Sequence, residues 1–435
     1  MAETTDASPS PVRAGTSWYV LTVLMLVYAV NFMDRQLFAV LQERIRDDIG
    51  LQDWQLGLLG GTMFALFYAI LGVPIAWFAD RTHRIRLIAM AATLWSGFTA
   101  LTGMAQGFVH LAAARIGVAV GEAGGVAPSY SVLSDFFAEH RRGFAIGVFS
   151  VGAPLGLTAG TLLGAMLADA LSWRAAFYIL ALPGIVLAVL MVLTIREPAR
   201  GQMDSAAPAQ QKVTPDAPLA SRSGTLAAFA HMVQTPALFM FAAAAASTSF
   251  AGYALYQWVP SFLQRSQGMS LDAVGMYLSP VFLFGMAGAV AGGWLADRFA
   301  PKVRGAYGLV PGIAQLIATP LFIIALLAGS GMATILLLIV PTLLSYVWLG
   351  PTLAAAQNLS HPGIRASVAA IIALINNLLG FGLGPLAIGS LSSALTPMLG
   401  AGEALRVSLL AGISLYLVGA LCFLAAAHLE RRRTA

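Results

Sequence analysis

The chain has 435 residues, 58% of them hydrophobic and only 10% charged, with a mean hydropathy of +0.80. A water-soluble domain needs about a quarter charged residues to clothe its surface, so that class is excluded and a polytopic, all-α membrane protein is indicated. The formal charge of +5 is not a nucleic-acid signal, because its carriers sit in loops between apolar stretches.

Residues 1–16 are polar and read as a disordered cytoplasmic N-terminus with no cleavable signal. Apolar stretches of about 20 residues, enough to cross a bilayer core, then recur twelve times: 18–40, 54–78, 86–107, 111–137, 143–168, 173–195, 236–262, 273–296, 304–328, 332–357, 364–391 and 404–428. The fourth and eleventh are long or interrupted by Gly and Pro. With both termini inside, the inner loops and tails hold most of the 24 Lys+Arg, among them Arg81, Arg84, Arg86, Arg141, Arg142, Arg196, Arg200, Arg298, Lys302, Arg304 and Arg431. Outer loops hold only Arg44, Arg46, Arg174, Arg265 and Arg406. This asymmetry sets the orientation.

The first span carries Asn31-Phe-Met-Asp34-Arg35. Asp34 lies towards the outer leaflet, and Arg35 points about 100° away around the helix. From there Arg35 could snorkel outward, pair with Asp34 or meet a substrate headgroup. The second span ends in Ala76-Trp-Phe-Ala-Asp80-Arg81, followed by Arg84-Ile-Arg86. The fourth holds Arg115 and Glu122, seven residues apart, hence nearly on one face with about 10 Å of rise between them. A charge at mid-bilayer costs about 2.5–3.5 kcal/mol even on the lenient scale, so both must face protein or a water-filled cavity. Ser129 and Tyr130 follow as candidate substrate contacts, and Asp135, Glu139, Arg141 and Arg142 cluster at the inner ends of spans 4 and 5. Span 5 repeats Gly152, Gly156, Gly160 and Gly164, and span 4 has Gly117, Gly121 and Gly125; such small-residue stripes let helices pack closely.

After Arg196-Glu197-Pro198 the composition turns to Ala, Pro, Gln and Ser, which reads as a linker. The expected division is a six-helix bundle at 17–196, a cytoplasmic linker at 197–230, a second six-helix bundle at 231–428 and a tail at 429–435. Span 8 ends in Gly293-Trp-Leu-Ala-Asp297-Arg298, echoing the end of span 2. The echo falls at the second span of each half and indicates an internal duplication. Repeated membrane halves around a midplane site are how secondary transporters are built.

Of the nineteen Asp+Glu, most fall in tails and loops, Glu43, Asp47, Asp48, Asp53, Asp272 and Glu403 among them. Only Asp34 and Glu122 sit clearly inside spans. Desolvation disfavours an ionised carboxylate and a nearby guanidinium favours it. A conformational change that makes or breaks contacts to Arg115 would therefore switch protonation, and Asp34, Glu122 and Arg115 are the expected proton-coupling set. The competing reading is a static ion pair tying span 1 to span 4. The C-terminal half offers no intramembrane charge, only Ser247, Thr248, Ser249, Tyr253, Tyr256, Gln257 and Trp258 on span 7, Tyr346 and Trp348 on span 10, and Asn376 and Asn377 on span 11. Arg35, Tyr253, Gln257, Trp258, Asn376 and Asn377 are expected to line the cavity with Ser129 and Tyr130. A cavity charged on one side and apolar-aromatic on the other suits an amphipathic molecule.

The doubled Ala-Asp-Arg with its basic tail resembles the loop motif of the major facilitator superfamily, although Ala76 and His83 stand where glycines are common. Arg115 with Gly121-Glu122-Ala123 resembles that superfamily's fourth-helix motif, and Gly152-Ala-Pro154-Leu-Gly156 its fifth-helix antiporter motif. Asn31-Phe-Met-Asp34-Arg35 combined with Gly-Glu-Ala is similar to the spinster branch, which includes sphingosine-phosphate and lysophospholipid exporters. The resemblance implies twelve helices in two six-helix pseudo-repeat halves and proton-coupled export of a lipid-like substrate. A drug or small-solute carrier is the alternative. It further implies that the span 5 glycines slide against span 8, and that Asp80 and Arg84, with Arg81, Asp135, Arg142, Asp297 and Arg298 around them, form a cytoplasmic salt-bridge gate.

Enzyme chemistry finds no support: the six His are scattered, and Cys422 is the only cysteine, which excludes an intramolecular disulfide and a Cys-based metal site. Lys212 and Lys302 are the only lysines and neither sits in a phosphate-binding glycine loop, so nucleotide-driven pumping by this chain is excluded. Duplicated halves and buried titratable groups argue against a channel. No cofactor or metal is expected. The expected partners are protons, membrane lipids and the substrate, for a monomer in a bacterial inner membrane.

Overall fold

The computed structural model describes residues 14–79, 81–203, 222–361 and 364–432. Among the described residues, eleven helices are long and apolar enough to cross a membrane: Gly15–Ile49, Asp53–Ala79, Arg84–Gly103, Arg141–Ala170, Trp173–Thr194, Pro236–Arg265, Leu271–Phe299, Ala306–Leu326, Gly331–Asn358, Ser367–Leu399 and Ala401–Arg432. These are spans 1–3 and 5–12. Span 4 completes the twelve in two segments, Phe108–Glu122 and Val126–Phe136, parted by a turn at Ala123, Gly124 and Gly125. A helix Arg222–Gln234 precedes span 7. Expectations placed on Asp80, the first residues of the N-terminus, most of the linker and the end of the tail lie outside the described residues.

Local chemistry sets the helix ends. Ser172 and Ser330 accept hydrogen bonds from the Ala175 and Ala333 amides and so start spans 6 and 10. Pro236 opens span 7, where a missing N–H costs nothing. Span 4 breaks where two successive glycines lower helix propensity by about 1 kcal/mol each. Two earlier glycines of span 4 permit close contact: a Cβ on Gly121 would strike Trp95, and one on Gly117 would strike Phe98, both on span 3.

The glycine stripe of span 5 faces span 1, not span 8. Cβ atoms at Gly152, Gly156 and Gly160 would run into the backbone oxygens of Met25, Ala29 and Met33, and one at Gly164 into Leu37. Four-residue spacing keeps all four on one side, and the neighbouring side, with Thr158 and Ala165, meets span 8 at Ser279 and Gly275. Gly156→Leu should therefore lower the melting temperature of the detergent-purified protein, by the equivalent of about 1–3 kcal/mol or more. Gly97→Ala, where no atom lies within 4 Å of the added carbon, should not lower it, since alanine is the better helix former.

The two halves touch mainly through spans 1 and 2 against spans 7 and 11, and through span 5 against span 8. Facing π-helical turns, Leu58–Thr62 in span 2 and Asn376–Leu383 in span 11, meet where Thr62 donates to the Gly382 carbonyl at 2.6 Å. Besides the Thr158–Ser279 bond, polar ties between halves lie nearer the outer end, among them Gln42 to Gln257 and Ser261, Arg265 to Glu43 and Asp53, Ser392 to Asp53, and the Trp54 amide to Ser393. At the cytoplasmic end the described bonds stay within one half, such as Ser17 to Phe136 or His231 to Leu359. The molecule is closed on its outer side.

Candidate functional site

The centre of the N-terminal half is built from spans 1 to 4. Arg35 donates from Nε to Glu122 Oε2 at 2.6 Å, and the carboxylate is fully buried. This corrects the expected pairing, in which Arg115 held both acids. Arg115 instead donates weakly to the Leu59 carbonyl at 3.4 Å, while its guanidinium lies 5.0 Å from the Phe38 ring and 5.3 Å from Phe64. Arg35 can reach because span 1 turns its Arg35 side towards the carboxylate, whereas Arg115 lies two helical turns away from Glu122 on the same span. Glu122 ends the first segment of span 4, where an anion meets the negative end of the helix dipole, and Arg35 offsets that.

Arg35 is boxed by aromatic rings: Phe64 at 4.5 Å, Phe32 at 5.0 Å, Tyr68 at 5.3 Å and Phe381 at 5.7 Å. A desolvated cation gains up to about 2 kcal/mol from such a face. Phe381 belongs to span 11, and it packs on Phe64 at 5.3 Å and on Tyr253 at 5.0 Å. The box therefore takes walls from both halves and cannot stay intact when they move apart. Asp34, also buried, accepts from Thr99 at 2.9 Å, while its Oδ1, like Glu122 Oε1 and Asn31 Oδ1, has no hydrogen-bond partner among the described residues.

Expected substrate contacts divide. Tyr253 joins the aromatic box. Asn376 keeps its Oδ1 buried without a partner among the described residues, whereas Asn377 bonds back to the Ala373 carbonyl. Ser129 bonds back to Gly125, and Tyr130 packs on Phe149 at 5.3 Å. Gln257 and Trp258 are corrected: Gln257 is locked to Gln42 across the halves at 2.6 Å, and fully buried Trp258 donates to the Pro385 carbonyl. Both belong to the outer closure. Inside the C-terminal half a small cavity of about 60 Å³ is lined by Tyr256, Tyr346, Tyr416 and apolar side chains.

At the cytoplasmic end Arg84 is buried and bonded to Asp135 at 2.5 Å, to Glu197 at 2.7 Å and to Ser131. Burial works against charge on Glu197, but the Ile85 amide and the Arg84 guanidinium hold its carboxyl below the usual range. Arg84 thus meets Asp135 of the expected gate cluster, its expected partner Asp80 lying outside the described residues, while Arg81 lies over the Trp77 ring, Arg142 donates to the Ser134 and Phe137 carbonyls, Asp297 accepts from Tyr307 and Arg298 is exposed. The residue missed was Glu197. Its signal was the Arg-Glu-Pro that ends the sixth span.

The outer closure was missed altogether. Arg265 grips Asp53 with both terminal nitrogens at 2.7 Å and Glu43 with Nε at 2.6 Å, and Ser392 donates to Asp53 at 2.6 Å. All three charged side chains are at most 7% exposed, so Glu43 and Asp53 are not the loop acids expected.

Residues 24–385 match the family model of the Major Facilitator Superfamily. An MFS-type efflux pump of Mycolicibacterium smegmatis is 33% identical over 96% of this chain and 94% of its own. Protein spinster of Drosophila melanogaster is 26% identical over 87% of this chain and 62% of its own. A solved bacterial homolog of the human lysosomal transporter Spinster, inward-facing and unoccupied, superposes with a TM-score of 0.86 at 29% identity, covering 97% of this chain and 99% of that one. The chain is thus a multi-pass membrane transporter and not an enzyme: it belongs to the Major Facilitator Superfamily, as a spinster-like member.

Proposed function

We propose that this transporter couples proton movement to export of a lipid-like amphipathic molecule by alternating access, in a bacterial inner membrane. The observation that carries the reading is the dry Arg35–Glu122 pair beside Asp34, enclosed by rings from both halves. Protonating Glu122 releases Arg35, and Arg35 leans on Phe381 of the opposite half, so one proton bears directly on how the halves sit. The charged N-terminal half against an aromatic C-terminal half, with Tyr253, Tyr256 and Tyr346, suits a polar head joined to an apolar tail. The spinster likeness supports the same branch of substrates. A drug or small-solute carrier is the second reading, since the mycobacterial relative is named as an efflux pump with no lipid substrate attached.

The test is transport in proteoliposomes under an imposed pH gradient. Lysophospholipid should move in response to the gradient and be displaced by other lysolipids, not by sugar acids or cationic drugs. Transport indifferent to the gradient would remove the coupling. Displacement by drugs alone would replace the substrate class.

A further inference from the structure

On the outer face of the N-terminal half, spans 3 and 6 leave a groove of about 900 Å³ between them. Its walls are apolar, with Met90, Leu94 and Gly97 on span 3 and Val189 and Leu193 on span 6, and its cytoplasmic end is Arg86. Gly97 forms an open floor, since nothing lies within 4 Å of where its Cβ would stand. From Arg86 to Leu101 the groove runs about 22 Å along the helix, more than the roughly 15 Å depth of one leaflet of hydrocarbon.

Arg86 is exposed, and so is Arg196, which follows the end of span 6. Arg196 immediately precedes Glu197, and Glu197 accepts from the Ile85 amide, so both guanidinium-bearing residues stand at the same end. Arg84 between them is consumed by Asp135 and Glu197. Among the described residues neither Arg86 nor Arg196 has an acidic partner. Two open cations above an acyl-sized slot form an amphipathic site of inverse charge to an anionic lipid.

We propose that this groove is a specific site for one anionic phospholipid of the cytoplasmic leaflet, its phosphate on Arg86 and Arg196 and an acyl chain along Met90 to Leu101. The site lies on the lipid-facing surface and is separate from the transport pathway between the halves.

The experiment is native mass spectrometry of the full chain, titrated with phosphatidylglycerol or phosphatidylcholine of identical acyl chains. Wild type should retain one phosphatidylglycerol with at least about tenfold preference, as two interfacial arginines imply. Arg86→Gln with Arg196→Gln should abolish the preference while leaving weak binding of both lipids. Gly97→Phe should block both, with the melting temperature showing that the variant is folded. Equal retention of the two lipids by wild type would overturn the proposal. So would preference surviving the double arginine variant, or a groove occupied by a second copy of the chain, seen as a dimer that Gly97→Phe dissociates.

Discussion

Glu122→Gln is expected to fold and to carry substrate, yet to ignore an imposed pH gradient. The glutamine keeps the shape and still offers Arg35 an acceptor at the position of Oε2, where the ionic bond now measures 2.6 Å. It cannot gain or lose a proton. Asp34→Asn preserves the Thr99 bond and should weaken coupling or slow the conformational change, because neighbouring carboxylates titrate as a set. Arg35→Ala should be the most damaging, since it strands Glu122 in a dry site, typically a loss of about 3–5 kcal/mol, and also empties the aromatic box. Arg115→Ala, which removes no ion pair, should be milder than Arg35→Ala. A static tie between spans 1 and 4 predicts the opposite pattern for Glu122→Gln: a lower melting temperature with gradient-driven transport intact. Flux measured in proteoliposomes, with melting curves on the same preparations, separates the two. Wild-type coupling in purified Glu122→Gln would dismiss the proton site.

The fold was legible because composition, span length and charge asymmetry are properties of the sequence itself. The acids of the centre were legible too, since a carboxylate in an apolar run has nowhere else to be. What could not be read was rotation between helices. Asp34, Arg35, Arg115 and Glu122 are each placed by helical phase within one span, but nothing in a single sequence says which guanidinium faces Glu122. The outer closure failed for a different reason. Span 1 was expected to end near residue 40, where its apolar run stops, yet the helix continues to Ile49. Those extra turns carry Gln42 and Glu43 into contact with span 7. Polar residues on that extension resemble a loop in a hydropathy profile, whereas they are partners for a facing helix. The glycine stripe shows the same limit, because spacing reveals a close contact without saying with whom.

Arg265→Ala should shift the protein towards outward-open states more than any cytoplasmic substitution. The closure it holds joins spans 1 and 2 of one half to spans 7 and 11 of the other. Removing the cation leaves buried Asp53 with no ionic partner among the described residues and Glu43 with Arg46 alone, at 3.1 Å, which destabilises the closed state by about 3–5 kcal/mol. Once the outer end opens, water solvates both acids and most of that penalty disappears. The balance between the two states therefore moves by roughly a hundredfold or more, at about 1.4 kcal/mol per factor of ten. Arg265→Lys keeps the charge but loses the two-pronged grip on Asp53, so its shift should be smaller. Replacing all three charges together, with Arg265→Met, Glu43→Gln and Asp53→Asn, should return the balance towards wild type, because no buried charge is then left unpaired. Spin labels at Asp47→Cys and Ser270→Cys, both exposed at the outer end and placed in a Cys422→Ser background, would report the change as a longer inter-label distance. If that distance stays at its wild-type value in folded Arg265→Ala, the charges decorate the closure and the buried Gln42–Gln257 pair, with the helix packing around it, is what keeps the outer side shut.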